Sequence, residues 1–164
     1  MDWREVRLEA IGGSALFPGK PVEVSRTLQI GGEQDVVTLT LRSARIDNTV
    51  FAVGWVLDGR PNTREKLEAA MLANIGAQAA AISRQALEKS DRVIHEVAAS
   101  GEMRLRSDSE PVPARLWMRS LSINPARSKQ GGSVRIIEII AAGPAHELRE
   151  EDARLFIESL KLWQ

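Results

Sequence analysis

Two histidines, scattered serines and a few clustered carboxylates are the side chains through which this chain could do acid, base or nucleophilic chemistry. His95 alternates with Val93 and Val97, and an imidazole so placed can serve as a general base or a metal ligand. No second ligand or nucleophile stands at a recognisable spacing from it, so it reads as a half-buried histidine bonded to a neighbour. The serines lack a Gly-x-Ser-x-Gly elbow, and neither His95 nor His146 is accompanied by an evident carboxylate to orient it. Glu150, Glu151 and Asp152 could supply an acid and a base. They open a segment of helical period, however, where the positive end of the helix favours negative charge, and His146 reads as a contact at the entry of that helix. Cysteine is absent, which removes thiolate metal sites, iron–sulfur clusters, cysteine nucleophiles and a disulfide framework together. The expectation is a chain with no catalytic residue, no metal and no cofactor.

Cations offer a different chemistry. Arg127-Ser128-Lys129-Gln130-Gly131-Gly132 carries two positive side chains and glycine backbone donors, as an anion site would want. The lysine precedes the glycines and no helix follows, so this is not a phosphate-binding P-loop. From Gly101 to Arg135 there are seven positive and three negative residues, against three and six from Ile136 to Gln164. Arg104 and Arg106 fall in the polar stretch 100–113, the longest irregular run and a length suited to recognition. Arg104, Arg106, Arg127 and Lys129 are therefore the candidate partner-binding residues, a basic face for an acidic protein. Lys plus Arg number 22 and Asp plus Glu number 22, so no global field recruits nucleic acid. A non-catalytic protein-binding or assembly module is the first expectation. A small-ligand carrier or weak hydrolase using a helix/sheet cleft near His95 is the alternative.

The elements that must hold these residues are mostly strands. With 164 residues and 43% apolar content, one core is expected, a single domain over 1–164. Val6 to Ile11 alternates and stops at Gly12-Gly13, and Phe17-Pro18-Gly19-Lys20-Pro21 must turn. Val22 to Ile30 and Val36 to Leu41 flank Gly31-Gly32 as a hairpin. Val50 to Leu57 is apolar on both parities, a strand covered on both faces. A helix follows from Asn62 or Thr63 to Gly76, with Leu67, Ala70, Met71 and Ile75 in its stripe. Residues 79–86 read nearly equally as helix or strand. Arg92 to Ala98 and Ala114 to Ile123 read as strands, the second entering a long hairpin to Val134–Ala142, whose four isoleucines predict the deepest strand. The last helix begins at Glu150 and presents Ala153, Phe156, Ile157 and Leu160. Trp55 and Trp117 are expected in the core, and Trp3 and Trp163 are expected to pack together and tie down the ends.

These landmarks, in this order, carry a family resemblance. Phe17-Pro18-Gly19-Lys20-Pro21, the strand running into a helix that ends Ala73-Asn74-Ile75-Gly76, the late hairpin and the closing Phe156-Ile157-Glu158-Ser159-Leu160-Lys161-Leu162 resemble bacterial members of the PsbP/Mog1-like superfamily. The resemblance runs from about Trp3 to Trp163. It implies an α+β fold, an α/β/α sandwich with a central antiparallel sheet, favours a strand at 79–86, and implies a docking surface without fixing the partner. Two departures stand out: Lys89-Ser90-Asp91 replaces the family's glycine-rich turn, and Leu160 replaces the second phenylalanine of the closing motif. Many bacterial relatives are exported and carry a tryptophan soon after the cleavage site. Asp2-Trp3 looks like such a mature start, which leans toward an extracytoplasmic location if a leader was removed. No apolar run approaches the roughly 20 residues of a membrane span.

Overall fold

The computed structural model describes residues 1–29, 31–32, 35–78, 81–89, 91–123 and 133–163. Strands β1 (Arg4–Leu8) and β2 (Gly13–Phe17) are joined by a 3-10 turn at Glu9–Ile11. Then come β3 (Val22–Gln29), β4 (Val36–Ile46), β5 (Thr49–Gly59), helix α1 (Thr63–Asn74), β6 (Ile82–Glu88), β7 (Arg92–Met103), β8 (Val112–Ile123) and β9 (Val134–Pro144). Helix α2 (Glu150–Glu158) and the short β10 (Lys161–Leu162) close the chain. Seven strands form one antiparallel sheet in the order β3-β4-β5-β9-β8-β7-β6, and β1-β2-β10 form a small second sheet.

The expected α/β/α sandwich is overturned: the chain is 57% strand and 17% helix, and among the described residues a single helix lies against each face of the large sheet. The physical reason is width. Seven strands about 4.8 Å apart span roughly 29 Å, whereas a helix about 10 Å across covers about two of them. Alternating residues that the sequence left to loops and to a possible helix extension lengthen the strands instead, β7 and β8 reaching 12 residues each. What remains for helices is 12 residues and 9.

One face is closed by α2 together with the small sheet. Phe156 sits at the centre of that layer, its ring edge-on to Phe17 at 5.2 Å and to Phe51 at 5.3 Å, over Val53, Ile137 and Ile139. The other face is closed, among the described residues, by α1. Leu67 seats among Val37, Leu39, Val56, Val134 and Ile136, while Leu72 and Ile75 seat among Val97, Leu116, Met118 and Ile140. The end of α1 comes so close to β7 that Glu102 N donates to Ile75 O at 2.7 Å, and a Cβ on Gly101 would lie 1.8 Å from that same oxygen. The glycine is what lets the helix reach the sheet.

β9 is the deepest strand, as its isoleucines predict, with Ile136, Ile137 and Ile139 fully buried between β5 and β8. β5 is covered on both faces as expected, and of residues 79–86, which read nearly equally as helix or strand, 82–86 are strand while 79 and 80 lie outside the described residues. The chain also turns where no hairpin was foreseen, at Asp47-Asn48, with Asp47 at a positive φ of 53°. The two termini are held separately. Trp3 meets Phe51 edge-on at 5.6 Å, whereas Trp163 bonds Gly12 O through its backbone and takes the Arg7 guanidinium over its ring. No helix among the described residues is long and apolar enough to cross a membrane.

Candidate functional site

Of the basic face read from the sequence, the described residues include Arg104 and Arg106. Arg104 and Arg106 lie in the loop between β7 and β8, and that loop is bonded to itself. The Arg104 guanidinium donates to Ser109 O, Ser109 Oγ donates to Arg106 O at 2.9 Å, and Arg106 N donates back to Ser109 Oγ at 3.1 Å. One of the two guanidinium groups is thus engaged in shaping its own loop. Arg127 and Lys129 lie outside the described residues. Beside the loop, the end of α1 and β7 leave an open cleft of about 890 Å³ lined by Asn74, Gln78, Glu102, Met103, Arg104 and Pro111.

His95 belongs to a row that no local spacing could reveal. In register, His95 on β7 lies opposite Ser120 on β8, Ser120 opposite Glu138 on β9, and Glu138 opposite Gly54 on β5. Residues directly opposite share a face, here the one under α1. Ser120 and Glu138 are each 1% exposed, and His95 is half-buried. Among the described residues, neither His95 Nδ1 nor Glu138 Oε1 has a hydrogen-bond partner, although both atoms are buried. Burial alone pushes the Glu138 carboxyl up to about 7, since a charge there would lose its water. His95 is pushed down, first by burial and then by the Arg64 guanidinium, with Glu68 and Glu65 on α1 opposing. Glu68 itself is held by Arg64 Nη1 at 3.2 Å and by Arg84 Nε of β6 at 3.1 Å.

The row contains the residue types of a hydrolytic triad in the wrong order. A serine nucleophile needs the histidine between itself and the carboxylate, whereas here the serine stands in the middle. Its 1% exposure also leaves no path for an acyl group. The half-buried histidine expected from the sequence is found, but not bonded to a neighbour at Nδ1. Glu138 was missed altogether. Its signal was present, a lone carboxylate inside Ile136-Ile137-Glu138-Ile139-Ile140, the most β-branched run of the chain. His146 is exposed at the approach to α2, its Nε2 3.9 Å from Glu147 Oε2, while Glu147 accepts from Asn48 N at 3.2 Å.

A second recess lies on the opposite face of the large sheet. α2 and the small sheet cover β4, β5, β9 and part of β8, and leave the β6–β8 wing bare. Two clefts there, of about 210 and 330 Å³, share Gln85, Glu96 and Arg119 and run together as one groove from α2 to the β6–β7 turn. Its apolar floor is Ile157, Trp117, Ala98, Ile94 and Leu87, the last 56% exposed. Charged pairs stand along it: Arg119 on Glu96 at 2.8 Å, and Arg154 on Glu150 at 3.2 Å. Trp117, expected in the core, is only half-buried because it lies on this open wing, where its ring takes the Arg115 guanidinium 4.4 Å away. Trp55 is in the core as expected.

Comparison with protein-family models, with curated proteins and with solved structures finds no match to this chain. The resemblance to the PsbP/Mog1-like superfamily thus stands on its sequence landmarks alone.

Proposed function

We propose that this protein is a non-catalytic binding module that receives a segment of a partner protein in the groove on the β6–β8 wing. The single observation that carries the reading is the continuity of that groove, an apolar floor flanked by two charged pairs and reaching from α2 to the β6–β7 turn. Recognition surfaces are rich in tryptophan and arginine at their centres and polar at their rims, and Trp117, Arg119 and Arg154 stand in that relation here. The floor suits a segment with small or apolar side chains at alternate positions. Glu96, Arg119, Glu150 and Arg154 suit oppositely charged residues beside them, each pair opening to exchange its internal partner for one on the ligand. Exposed ion pairs hold together by only about 0–1 kcal/mol, so the exchange costs little.

The test is a peptide-display selection against the whole chain. Selected peptides are expected to lose about ten-fold or more in affinity for Leu87→Asp and for Arg119→Glu, as truncated centres of interfaces do. They are expected to bind Arg104→Glu unchanged. Peptides indifferent to both groove variants would overturn the reading, as would a selection that enriches nothing. The thermal stability of each variant separates loss of binding from loss of fold.

A further inference from the structure

Three polar groups in register under α1, Ser120 and Glu138 buried and His95 half-buried, play no part in the groove. Glu138 lies on β9 between Ile136, which packs on Leu67 of α1, and Ile140, which packs with Leu72. It therefore sits at the seam between the two apolar clusters that seat the helix. The two orphaned atoms, Glu138 Oε1 and His95 Nδ1, belong to the strands on either side of Ser120. Directly opposed residues of an antiparallel pair have Cβ atoms about 4.5–5.5 Å apart, within reach of a hydroxyl and a carboxyl that turn toward each other.

We propose that His95, Ser120 and Glu138 are a proton-sharing chain that couples the protonation of Glu138 to the seating of α1. In the closed form the protonated Glu138 carboxyl donates to Ser120 Oγ, and the Ser120 hydroxyl donates to His95 Nδ1 of a neutral imidazole. All three groups are then uncharged and both orphaned atoms are satisfied. When Glu138 gives one proton to solvent, Ser120 turns its hydroxyl to the carboxylate and releases His95 Nδ1. A carboxylate so deeply buried needs water, and an unpaired buried charge is strongly unfavourable. β9 is laddered on both sides by β5 and β8 and does not yield. The element that yields is α1, the one helix on that face among the described residues.

The charged surroundings agree with this assignment. On that face stand Arg64, Glu65 and Glu68 of α1 and Arg84 of β6, and further out Arg26 of β3, opposite Leu39. From β4 and β5 the neighbours of Glu138 are Leu39, Leu41 and Gly54. Arg64 and Arg84 are spent on Glu68, and no cation offsets the burial of Glu138.

The experiment follows carboxyl and imidazole resonances of the labelled whole chain by NMR, together with amide exchange corrected for its intrinsic pH dependence. Exchange at Leu67–Leu72 is expected to rise about ten-fold or more between pH 5.5 and 8, while β9 amides stay protected. Glu138→Gln is expected to remove that rise, and Ser120→Ala to remove from the His95 titration the inflection it shares with Glu138. A Glu138 carboxyl titrating in the ordinary carboxylate range overturns the proposal. Exchange in α1 that does not change with pH, or changes equally in β9, overturns it as well. These last readings are made on the unaltered chain, so they decide the matter even if a variant fails to fold.

Discussion

Arg84 on the edge strand β6 reaches across to Glu68 on α1, its Nε 3.1 Å from a carboxylate oxygen that is almost wholly buried. The contact ties the outermost strand of the wing to the helix on the face behind the groove, and Arg64 completes it one turn earlier at 3.2 Å.

Removing Glu68 leaves the mostly hidden Arg64 only the more distant, exposed Glu65 at 4.0 Å, whereas removing Arg84 takes away a side chain half in solvent. Glu68→Ala should therefore cost about 1–3 kcal/mol and Arg84→Ala less than about 1 kcal/mol. In the double variant the two costs should fall short of their sum, because both act on one carboxylate. Urea unfolding of the four proteins measures each term.

Burial pushes the Glu138 carboxyl up from the ordinary carboxylate range to about 7. The folded chain thus binds a proton more tightly than the unfolded one. Its stability contribution is complete below pH 4.5 and is lost as pH rises through 7, a change of about 3 kcal/mol if the whole shift is expressed. Denaturant midpoints of the unaltered chain should fall between pH 5 and 8. Glu138→Gln should flatten that slope and be the more stable protein at pH 8.

A methyl group at position 101 would meet Ile75 O at 1.8 Å, backbone against backbone, with no flexible side chain to give way. Gly101→Ala should lower stability by about 3 kcal/mol or more, since the end of α1 must leave β7. A fall in Tm, with loss of protection at Glu102 N in amide exchange, is the expected pair of readings.

Phe156 is fully buried and edge-on to two other phenylalanines, whereas Leu155 beside it is 43% exposed. Phe156→Ala should cost about 3–5 kcal/mol and Leu155→Ala less than about 0.5 kcal/mol. Thermal unfolding of the two variants tests whether α2 is held by one face.

Much of the fold was legible because it is written in local period. A β-prone run placed β4, an apolar run entering a long hairpin placed β8, four isoleucines marked β9 as deep, double-parity apolarity announced that β5 is covered twice, and the stripe of Ala153, Phe156 and Ile157 named the buried face of α2. The hairpin at Asp47-Asn48 escaped because its turn is only two residues between long strands, without glycine or proline to punctuate it. Layers were misjudged for a different reason. Period says which side of a strand is apolar, but not how many strands stand side by side, and it is their number that outruns two short helices.

Amino-acid order alone therefore determined which side chains turn inward, where the chain breaks, and that cysteine chemistry is excluded. Only the tertiary structure decided that positions 95, 120 and 138 fall in one row, and that Gln85, Arg119 and Arg154 border one groove. Periodicity acts between neighbours in the chain, whereas strand pairing joins residues tens of positions apart through backbone bonds that carry no side-chain label. Glu138 shows the difference: its neighbours in sequence marked a deep strand, and its partners across the sheet made the burial chemically consequential.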